Sequence, residues 1–118
     1  MVNVSSQCSL FAVKDHTSYC MSKFALDGLT KCTALEMGEY GIRCNSVCPT
    51  VVLTAMGAKV WGDPEKGGPM LSKIPLNRFA DEIDVVKPVM FLLNKEKSGM
   101  INAHSVPIEG GICGTLKM

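Results

Sequence analysis

A strand, a loop and a long helix open this chain, and together they carry a serine, a tyrosine and a lysine. Ser6 follows the predicted strand Met1–Ser5, and Tyr19 and Lys23 lie near the start of a helix predicted over Ser18–Glu39. Residues four apart on a helix share one face, with Cβ atoms about 5–6 Å apart. A fixed cation favours the ionised form of a neighbouring phenol and makes it a more useful proton donor. The spacing therefore predicts a site that protonates a carbonyl oxygen while another group delivers a hydride.

Strands and helices continue to alternate along the rest of the chain, and a loop over VVLTAM follows Pro49. Alternating strands and helices favour parallel pairing with right-handed crossovers. The sequence therefore predicts an α/β fold with the order β-α-β-α-α-β. After the first helix we expect strands at Ile42–Val47 and Ser105–Ile108, and helices at Pro64–Lys73 and Glu82–Asn94.

Apolar periodicity predicts which side of the two longer helices is buried. The first helix has an apolar stripe at Ala25, Leu29, Cys32 and Leu35. The helix Glu82–Asn94 is expected to bury Val85, Val86, Val89, Phe91, Leu92 and Leu93.

Composition excludes several classes of function. The 118 residues fit one domain, and 12 Lys+Arg against 11 Asp+Glu give a net charge of +1 without a charge block. Nothing therefore indicates a nucleic-acid partner or a basic membrane patch. The apolar stretch Val85–Leu93 contains Lys87 and Pro88 and is too short to span a bilayer.

The six cysteines do not indicate a metal site or a disulfide framework. They lack a Cys-x-x-Cys pair, and the two histidines, His16 and His104, lack ligand spacing. We expect reduced, mostly buried thiols and a cytoplasmic protein. The cysteines are Cys8, Cys20, Cys32, Cys44, Cys48 and Cys113.

Two motifs together resemble the short-chain dehydrogenase/reductase superfamily. One is Ser6 with the Tyr-x-x-x-Lys of Tyr19 and Lys23. The other is IRCNSVCPTVVLT, which resembles the superfamily signature Arg-x-Asn-x-x-x-Pro-(Gly/Thr)-x-(Val/Ile)-x-Thr. The wider sequence is similar to the dicarbonyl/L-xylulose reductase group within that superfamily.

The resemblance covers nearly the whole chain but only the second half of the family domain. It implies that residues 1–118 form the C-terminal half of a Rossmann-type doubly wound parallel sheet. The half with the glycine-rich phosphate-binding turn is then missing. Neither Gly67-Gly68 nor Gly110-Gly111 follows a strand and opens a helix, so neither pair supplies that turn.

The resemblance also implies roles for individual residues. Tyr19 would donate the proton, Lys23 would assist it and hold the nicotinamide ribose of NADP(H), and Ser6 would position the substrate carbonyl. Pro49 would set a turn after which the main chain of Val52 and the hydroxyl of Thr54 contact the nicotinamide carboxamide. Gln7, Val13, His16 and Trp61 would line a pocket for a small carbonyl or sugar substrate, such as L-xylulose or a vicinal dicarbonyl. A partly exposed loop residue is the alternative interpretation of both His16 and Trp61.

Two positions depart from the family pattern. Ala103 stands where a glycine is usual, so we expect strain if that turn needs a positive φ. Cys48 stands where a polar residue is more usual, and the sequence offers no reason for it.

Two functions follow, from different classes. The chain is part of an NADPH-dependent carbonyl or L-xylulose reductase, which in the full-length family is a homotetramer. Alternatively it is a truncated, non-catalytic remnant that associates with a full-length relative through the helix Ser18–Glu39. A bare, apolar edge of the parallel sheet would favour the second interpretation.

Overall fold

The computed structural model describes residues 1–116. The strands are β1 (Val2–Val4), β2 (Asn45–Pro49) and β3 (Ser105–Ile108). The helices are α1 (Thr17–Met37), α2 (Ala55–Trp61), α3 (Pro64–Leu71), α4 (Glu82–Leu93) and α5 (Lys95–Ser98), and short 3₁₀ turns span Gln7–Ser9 and Gly38–Tyr40.

The three strands form one parallel sheet in the order β1-β2-β3, which confirms the predicted α/β class. β2 is central and all five of its residues are buried. Within the described residues β1 has β2 as its one neighbour, so its other side is an open edge. Ser5 N donates to Val47 O at 2.8 Å, and Asn45 N donates to Met1 O at 3.1 Å. The peptide groups of Val2 and Val4 therefore face the open edge.

The predicted bounds are right for β3 and within one or two residues for β1, α1, α3 and α4, but β2 begins three residues later than predicted. Side chains from the end of the chain occupy the preceding segment. Asn102 Oδ1 accepts from Cys44 N at 2.9 Å, and the Arg43 guanidinium donates to Leu92 O and Ile101 O. The bond from Cys44 N to Asn102 thus takes the place of a ladder bond at that position. At its other end β2 includes Pro49, which was predicted to open a loop.

The predicted loop after Pro49 is partly helical, which is a second correction. α2 begins after Thr54, whose hydroxyl accepts from Gly57 N at 3.0 Å and caps the helix. A side-chain oxygen in this position satisfies one of the first N–H groups, which lack a partner within the helix. The sequence prediction also missed the single turn of α5, which Asn94 caps in the same way.

The predicted buried stripe of α1 is wrong, because Ala25, Leu29, Cys32 and Leu35 are all exposed. Leu29 is 57% exposed and Leu35 83%. The buried positions are Cys20, Asp27, Thr30 and Ala34. The sheet beneath α1 is polar, since Asn3 Nδ2 donates to Thr30 Oγ1 at 2.9 Å and Ser46 Oγ donates to Asp27. Buried polar groups need partners, so the polar side of the helix faces the sheet.

The buried side of α4 was also predicted too broadly. Leu92 is buried and Val85 and Val89 are half-buried, whereas Val86, Phe91 and Leu93 are exposed. A three-stranded sheet covers a narrow part of the helix, so the rest of its apolar surface meets solvent.

The chain exposes more surface than its mass would suggest. Its accessible area is 7650 Å² for 12.7 kDa. A folded monomer of this mass exposes about 6,200 Å². The excess of about 1,400 Å² agrees with the open sheet edge and the exposed apolar sides of α1 and α4.

Three further expectations have a structural outcome. Ala103 has a φ of 61°, so the predicted left-handed position is confirmed. All six cysteines are free and four of them are buried, as expected. Among residues 1–116, no helix has the length and apolarity needed to cross a bilayer.

Candidate active site

A cavity of about 430 Å³ brings together residues from five parts of the chain. It lies among the Gln7–Ser9 turn, the start of α1, the segment after β2, and the helices α2 and α3. Six of the ten predicted site residues line it: Ser6, Gln7, Val13, His16, Tyr19 and Trp61. The sequence analysis did not assign the other four lining residues, Cys8, Thr50, Val51 and Met70, to the pocket.

Ser6 holds its hydroxyl at the start of the 3₁₀ turn. Its backbone is extended, and its Oγ accepts from Cys8 N at 3.1 Å, which caps the turn. A hydroxyl has one proton to donate and two acceptor positions. Because the bond to Cys8 uses an acceptor position, the Ser6 proton stays available for a carbonyl oxygen in the cavity.

Tyr19 and Lys23 lie one turn apart on α1, in the predicted arrangement. Lys23 Nζ is 5.6 Å from the centroid of the Tyr19 ring. The same ammonium donates to Val4 O at 3.1 Å, on the open edge of β1. The Tyr19 ring is 45% exposed and borders the cavity. The positive charge therefore lies close to the Tyr19 ring, although Lys23 is not among the residues that line the cavity.

Two buried oxygens in the cavity wall lack a hydrogen-bond partner within the described part of the chain. They are Gln7 Oε1 and Thr50 Oγ1. Buried polar atoms without partners are uncommon in proteins and each calls for an explanation. Both belong to residues that line the cavity, but the oxygen atoms themselves are buried.

Cys8 also lines the cavity, but as a thiol. Burial raises the pKa of Cys8, and the opposing effect of the nearby Ser6 hydroxyl offsets that rise only in part. A thiol with a raised pKa is a weak nucleophile near neutral pH. The cavity chemistry therefore depends on the hydroxyl groups rather than on a thiolate.

The residues expected to contact a nicotinamide lie beside the cavity rather than in its lining. Pro49 ends β2, and the next segment is bonded to Ala80: Ala80 N donates to Val51 O at 3.0 Å and Leu53 N to Ala80 O at 2.8 Å. Within the described residues the N–H of Val52 has no hydrogen-bond partner, and Thr54 keeps its hydroxyl proton while capping α2. These free donors fit the carbonyl oxygen of a carboxamide.

Trp61 lies at the end of a helix rather than in a loop, whereas His16 is a partly exposed loop residue, as its alternative interpretation stated; both residues line the cavity. His16 is half-buried and immediately precedes α1, with its Nδ1 2.8 Å from Lys14 O. Trp61 is half-buried at the end of α2. Met70 reaches the cavity from α3, and no motif in the sequence indicated it.

Comparison with known proteins gives consistent matches. Residues 1–113 match the family described as enoyl-(acyl carrier protein) reductase. The chain is 52% identical to L-xylulose reductase of Homo sapiens over 111 residues, which is 94% of this chain and 45% of that protein. It is 49% identical to D-erythrulose reductase of Gallus gallus, over 94% of this chain and 45% of that protein.

The fold also matches solved structures. One is a putative NAD(P)-dependent gluconate 5-dehydrogenase from Beutenbergia cavernae with bound NADP at low occupancy. It superimposes with a TM-score of 0.88 at 27% identity, and the match covers 97% of this chain and 45% of that one. The chain thus spans slightly less than half the length of the relatives it matches.

Proposed function

The chain belongs to the short-chain dehydrogenase/reductase family, and we propose that it forms the catalytic part of an NADPH-dependent reductase of small carbonyl compounds. The observation that carries this proposal is the cavity of about 430 Å³, whose wall holds Ser6 and Tyr19 together with four residues predicted to contact substrate. We propose that residues 1–118 are a partial domain, with the phosphate-binding half of the sheet supplied elsewhere.

In the proposed reaction Ser6 and Tyr19 both act on the carbonyl oxygen. The free proton of the Ser6 hydroxyl hydrogen-bonds that oxygen and polarises the carbonyl. Tyr19 then transfers its phenolic proton to the oxygen while the carbonyl carbon accepts a hydride. The products are an alcohol and a phenolate at Tyr19. The Lys23 ammonium, 5.6 Å from the ring centroid, stabilises that phenolate.

A nicotinamide dinucleotide supplies the hydride when it is bound. Lys23 would hold its ribose, and the Val52 N–H and the Thr54 hydroxyl would bond its carboxamide after the turn at Pro49. We assign NADPH rather than NADH because the sequence resembles the L-xylulose reductase group. The NADP bound to a structural neighbour supports a cofactor of this chemical class.

The proposed substrate is a small, hydroxylated carbonyl compound such as L-xylulose, or a vicinal dicarbonyl. A cavity of about 430 Å³ is at the small end of ligand pockets, which range over about 300–1,000 Å³. The relatives named L-xylulose reductase and D-erythrulose reductase support a sugar substrate. We propose that the protein acts in the cytoplasm, where reducing conditions keep thiols free.

The test is NADPH oxidation by the purified chain with L-xylulose or diacetyl, with Tyr19→Phe as the variant. Loss of a general acid lowers turnover by about 10²–10⁴-fold, so we expect Tyr19→Phe to abolish measurable activity. The matched control is Tyr40→Phe, which changes the second tyrosine of the chain, exposed in the turn after α1. Equal activity of Tyr19→Phe and Tyr40→Phe would contradict the assigned role. A folded chain with neither turnover nor NADPH binding would contradict the enzyme proposal for this polypeptide.

A second candidate function has its own structural support. We propose as the alternative that the chain is a non-catalytic partner that binds a full-length relative through α1. The supporting observation is the apolar outer face of α1, formed by Met21, Phe24, Leu29 and Leu35, all of which are exposed. The open edge of β1 and the large accessible area of the chain also support this alternative.

Light scattering of the chain mixed with a full-length L-xylulose reductase tests this alternative. A mixed complex that Leu35→Lys weakens would support it. Met100→Lys is the control, because Met100 is 97% exposed and lies off α1. Absence of a complex, or equal weakening by both variants, would contradict binding through this face. A homo-oligomer, a tetramer in the full-length family, would appear in the same measurement on the chain alone.

A further inference from the structure

A buried carboxylate that the proposed reaction does not use lies beneath the catalytic turn. Asp27 is on α1, four residues after Lys23 and eight after Tyr19, and is 8% exposed. Its Oδ2 accepts from Ser9 Oγ at 2.6 Å, and its Oδ1 accepts from Ser46 Oγ at 2.8 Å. The structure gives it no ion-pair partner among residues 1–116, so neutral hydrogen-bond donors stabilise the charge. We call Ser9, Asp27, Ser46, Cys48 and Ser105 the Asp27 cluster.

Side chains of the Asp27 cluster connect α1 to three other elements, which are the Gln7–Ser9 turn, β2 and β3. Ser9 is the last residue of the Gln7–Ser9 turn, and Ser46 and Cys48 are in β2. Cys48 Sγ is 3.6 Å from Asp27 Oδ2, and burial raises the pKa of this thiol, so it remains a donor. The hydroxyls of Ser46 and Ser105 are 3.0 Å apart, which extends the cluster to β3. The unusual cysteine at position 48 thus contacts the carboxylate.

The hydrogen-bonded connection from Asp27 to the turn after Ser6 passes through Ser9. Ser9 Oγ is 2.6 Å from the carboxylate and 2.8 Å from Ser6 O, and Ser9 N donates to Ser6 O at 2.9 Å. The hydroxyl has one proton, and an ionised carboxylate is the stronger acceptor. Asp27 therefore fixes the end of the three-residue turn Gln7–Ser9, which Ser6 precedes and caps with its hydroxyl.

We propose that Asp27 is a positioning residue that holds the Ser6 hydroxyl at the cavity by bonding Ser9. Its effect on turnover rests on the proposed function, whereas its effect on the turn does not. Misplacement of a reacting group by about 1 Å can cost up to 100-fold in rate. One carboxylate oxygen of Asp27 bonds Ser9 in the turn and the other bonds Ser46 in β2, so Asp27 fixes the turn relative to β2. The segment that follows β2 after Pro49 also lines the cavity.

A double-mutant cycle on kcat tests the route through Ser6. We expect Asp27→Ala to lower kcat about tenfold when Ser6 is present, and less than about twofold in a Ser6→Ala background. Asp27→Asn keeps one acceptor oxygen and should recover part of the loss. If Asp27 merely stabilised the fold, Asp27→Ala would lower kcat by the same factor in both backgrounds. That result would overturn the proposal. The control is Thr30→Val, a buried position of the same helix side without a bond to the turn, which should lower kcat less than twofold.

Amide hydrogen exchange gives an answer even if the chain shows no turnover. Ser9 N bonds Ser6 O, and Leu10 N bonds Gln7 O at 2.9 Å. In Asp27→Ala these two amides should exchange at least about tenfold faster, while Gly41 N, bonded to Gly38 O in the distant turn, keeps its rate. Unchanged protection at Ser9 and Leu10 would overturn the proposal. Absence of turnover with faster exchange would contradict the proposed enzyme function but support the positioning role.

Discussion

The buried and exposed sides of α1 have the opposite polarity from those of a typical surface helix. The side that faces the sheet carries Lys23, Asp27 and Thr30, and hydrogen bonds satisfy each of them. The outer face carries Leu29, Leu35 and other large apolar side chains that remain exposed. A typical helix buries its apolar stripe and exposes its charges. The difference teaches that in this helix the apolar pattern does not identify the side that packs on the sheet, whereas the polar pattern does.

The two sides must also contribute differently to stability. The inner side stabilises the fold through hydrogen bonds to a buried charge. The outer face is already in water in the folded chain, so its side chains change the free energy of unfolding little. The predictions below test that contrast, from the largest effect to the smallest.

Removing the inner carboxylate should have the largest effect. Asp27→Ala breaks the two bonds to Ser9 and Ser46, and hydrogen bonds to charged groups contribute about 1.5–3 kcal/mol each before the protein relaxes. We expect the free energy of unfolding to fall by about 2–3 kcal/mol. Leu29→Ala on the outer face should change it by less than about 0.5 kcal/mol. Urea unfolding measures both, and equal losses would refute the contrast.

Lowering the pH should remove the contribution of Asp27, on the inner side of α1, to the free energy of unfolding. Burial opposes ionisation of Asp27, but hydrogen bonds led by Ser9 and Ser46 outweigh it and hold its pKa below 3.8. A lowered folded-state pKa means that the carboxylate stabilises the fold above the unfolded value of 3.8 and loses that contribution as pH falls further. The stability difference between the native chain and Asp27→Asn should therefore shrink below pH 3.8. A difference that grows as pH falls would contradict the sign.

Relieving strain next to the inner network should have a smaller, opposite effect. Ala103 precedes β3 with a φ of 61°, and its N–H bonds Cys44 O at 2.9 Å. A left-handed conformation costs an L-residue about 1–2 kcal/mol, part of which the greater flexibility of unfolded glycine offsets. Ala103→Gly should therefore raise the free energy of unfolding by about 0.5–1 kcal/mol. Destabilisation by this substitution in thermal unfolding would show that the turn is not strained.

A charge on the outer face should have the smallest effect. Leu35 is 83% exposed, so Leu35→Lys removes little buried area. We expect the free energy of unfolding of a dilute, monomeric sample to change by less than about 0.5 kcal/mol. A fall in the free energy of unfolding of more than about 1 kcal/mol would mean that the outer face already packs against something in solution.

The sequence predicted the fold order and the grouping of the candidate site residues better than it predicted burial. Alternating apolar runs located β1, β3 and α4, and the spacing of Tyr19 and Lys23 placed them on one helix side. The order β-α-β with parallel pairing followed from that alternation. The left-handed position of Ala103 came from the family pattern, which usually has glycine there.

The errors have physical causes that a single sequence does not display. The buried side of α1 was assigned to the wrong face because the polar sheet surface, with Asn3 and Ser46, appears only when the strands pair. β2 was placed too early because bonds from Asn102 and Arg43 are long-range. Asp27 was overlooked because one acidic residue in a helix resembles a solvated charge.

The site was predicted partly from residue chemistry and partly by resemblance. The spacing of Ser6, Tyr19 and Lys23 indicated proton transfer to a carbonyl, whereas Gln7, Val13, His16 and Trp61 came from the family alone. Thr50 and Met70 complete the cavity wall through folding, since β2 and α3 bring them there from distant positions.

The large accessible area of the chain has a consequence for how it unfolds. Burying less surface than a compact protein of equal mass implies a smaller heat-capacity change and a shallower dependence on denaturant concentration. Unfolding transitions of the isolated chain should therefore be broad. A partner that covers β1 and the outer face of α1 binds the folded state only, so the midpoint temperature should rise with the partner's concentration. The thermal midpoint is then a property of the solution composition as well as of these 118 residues.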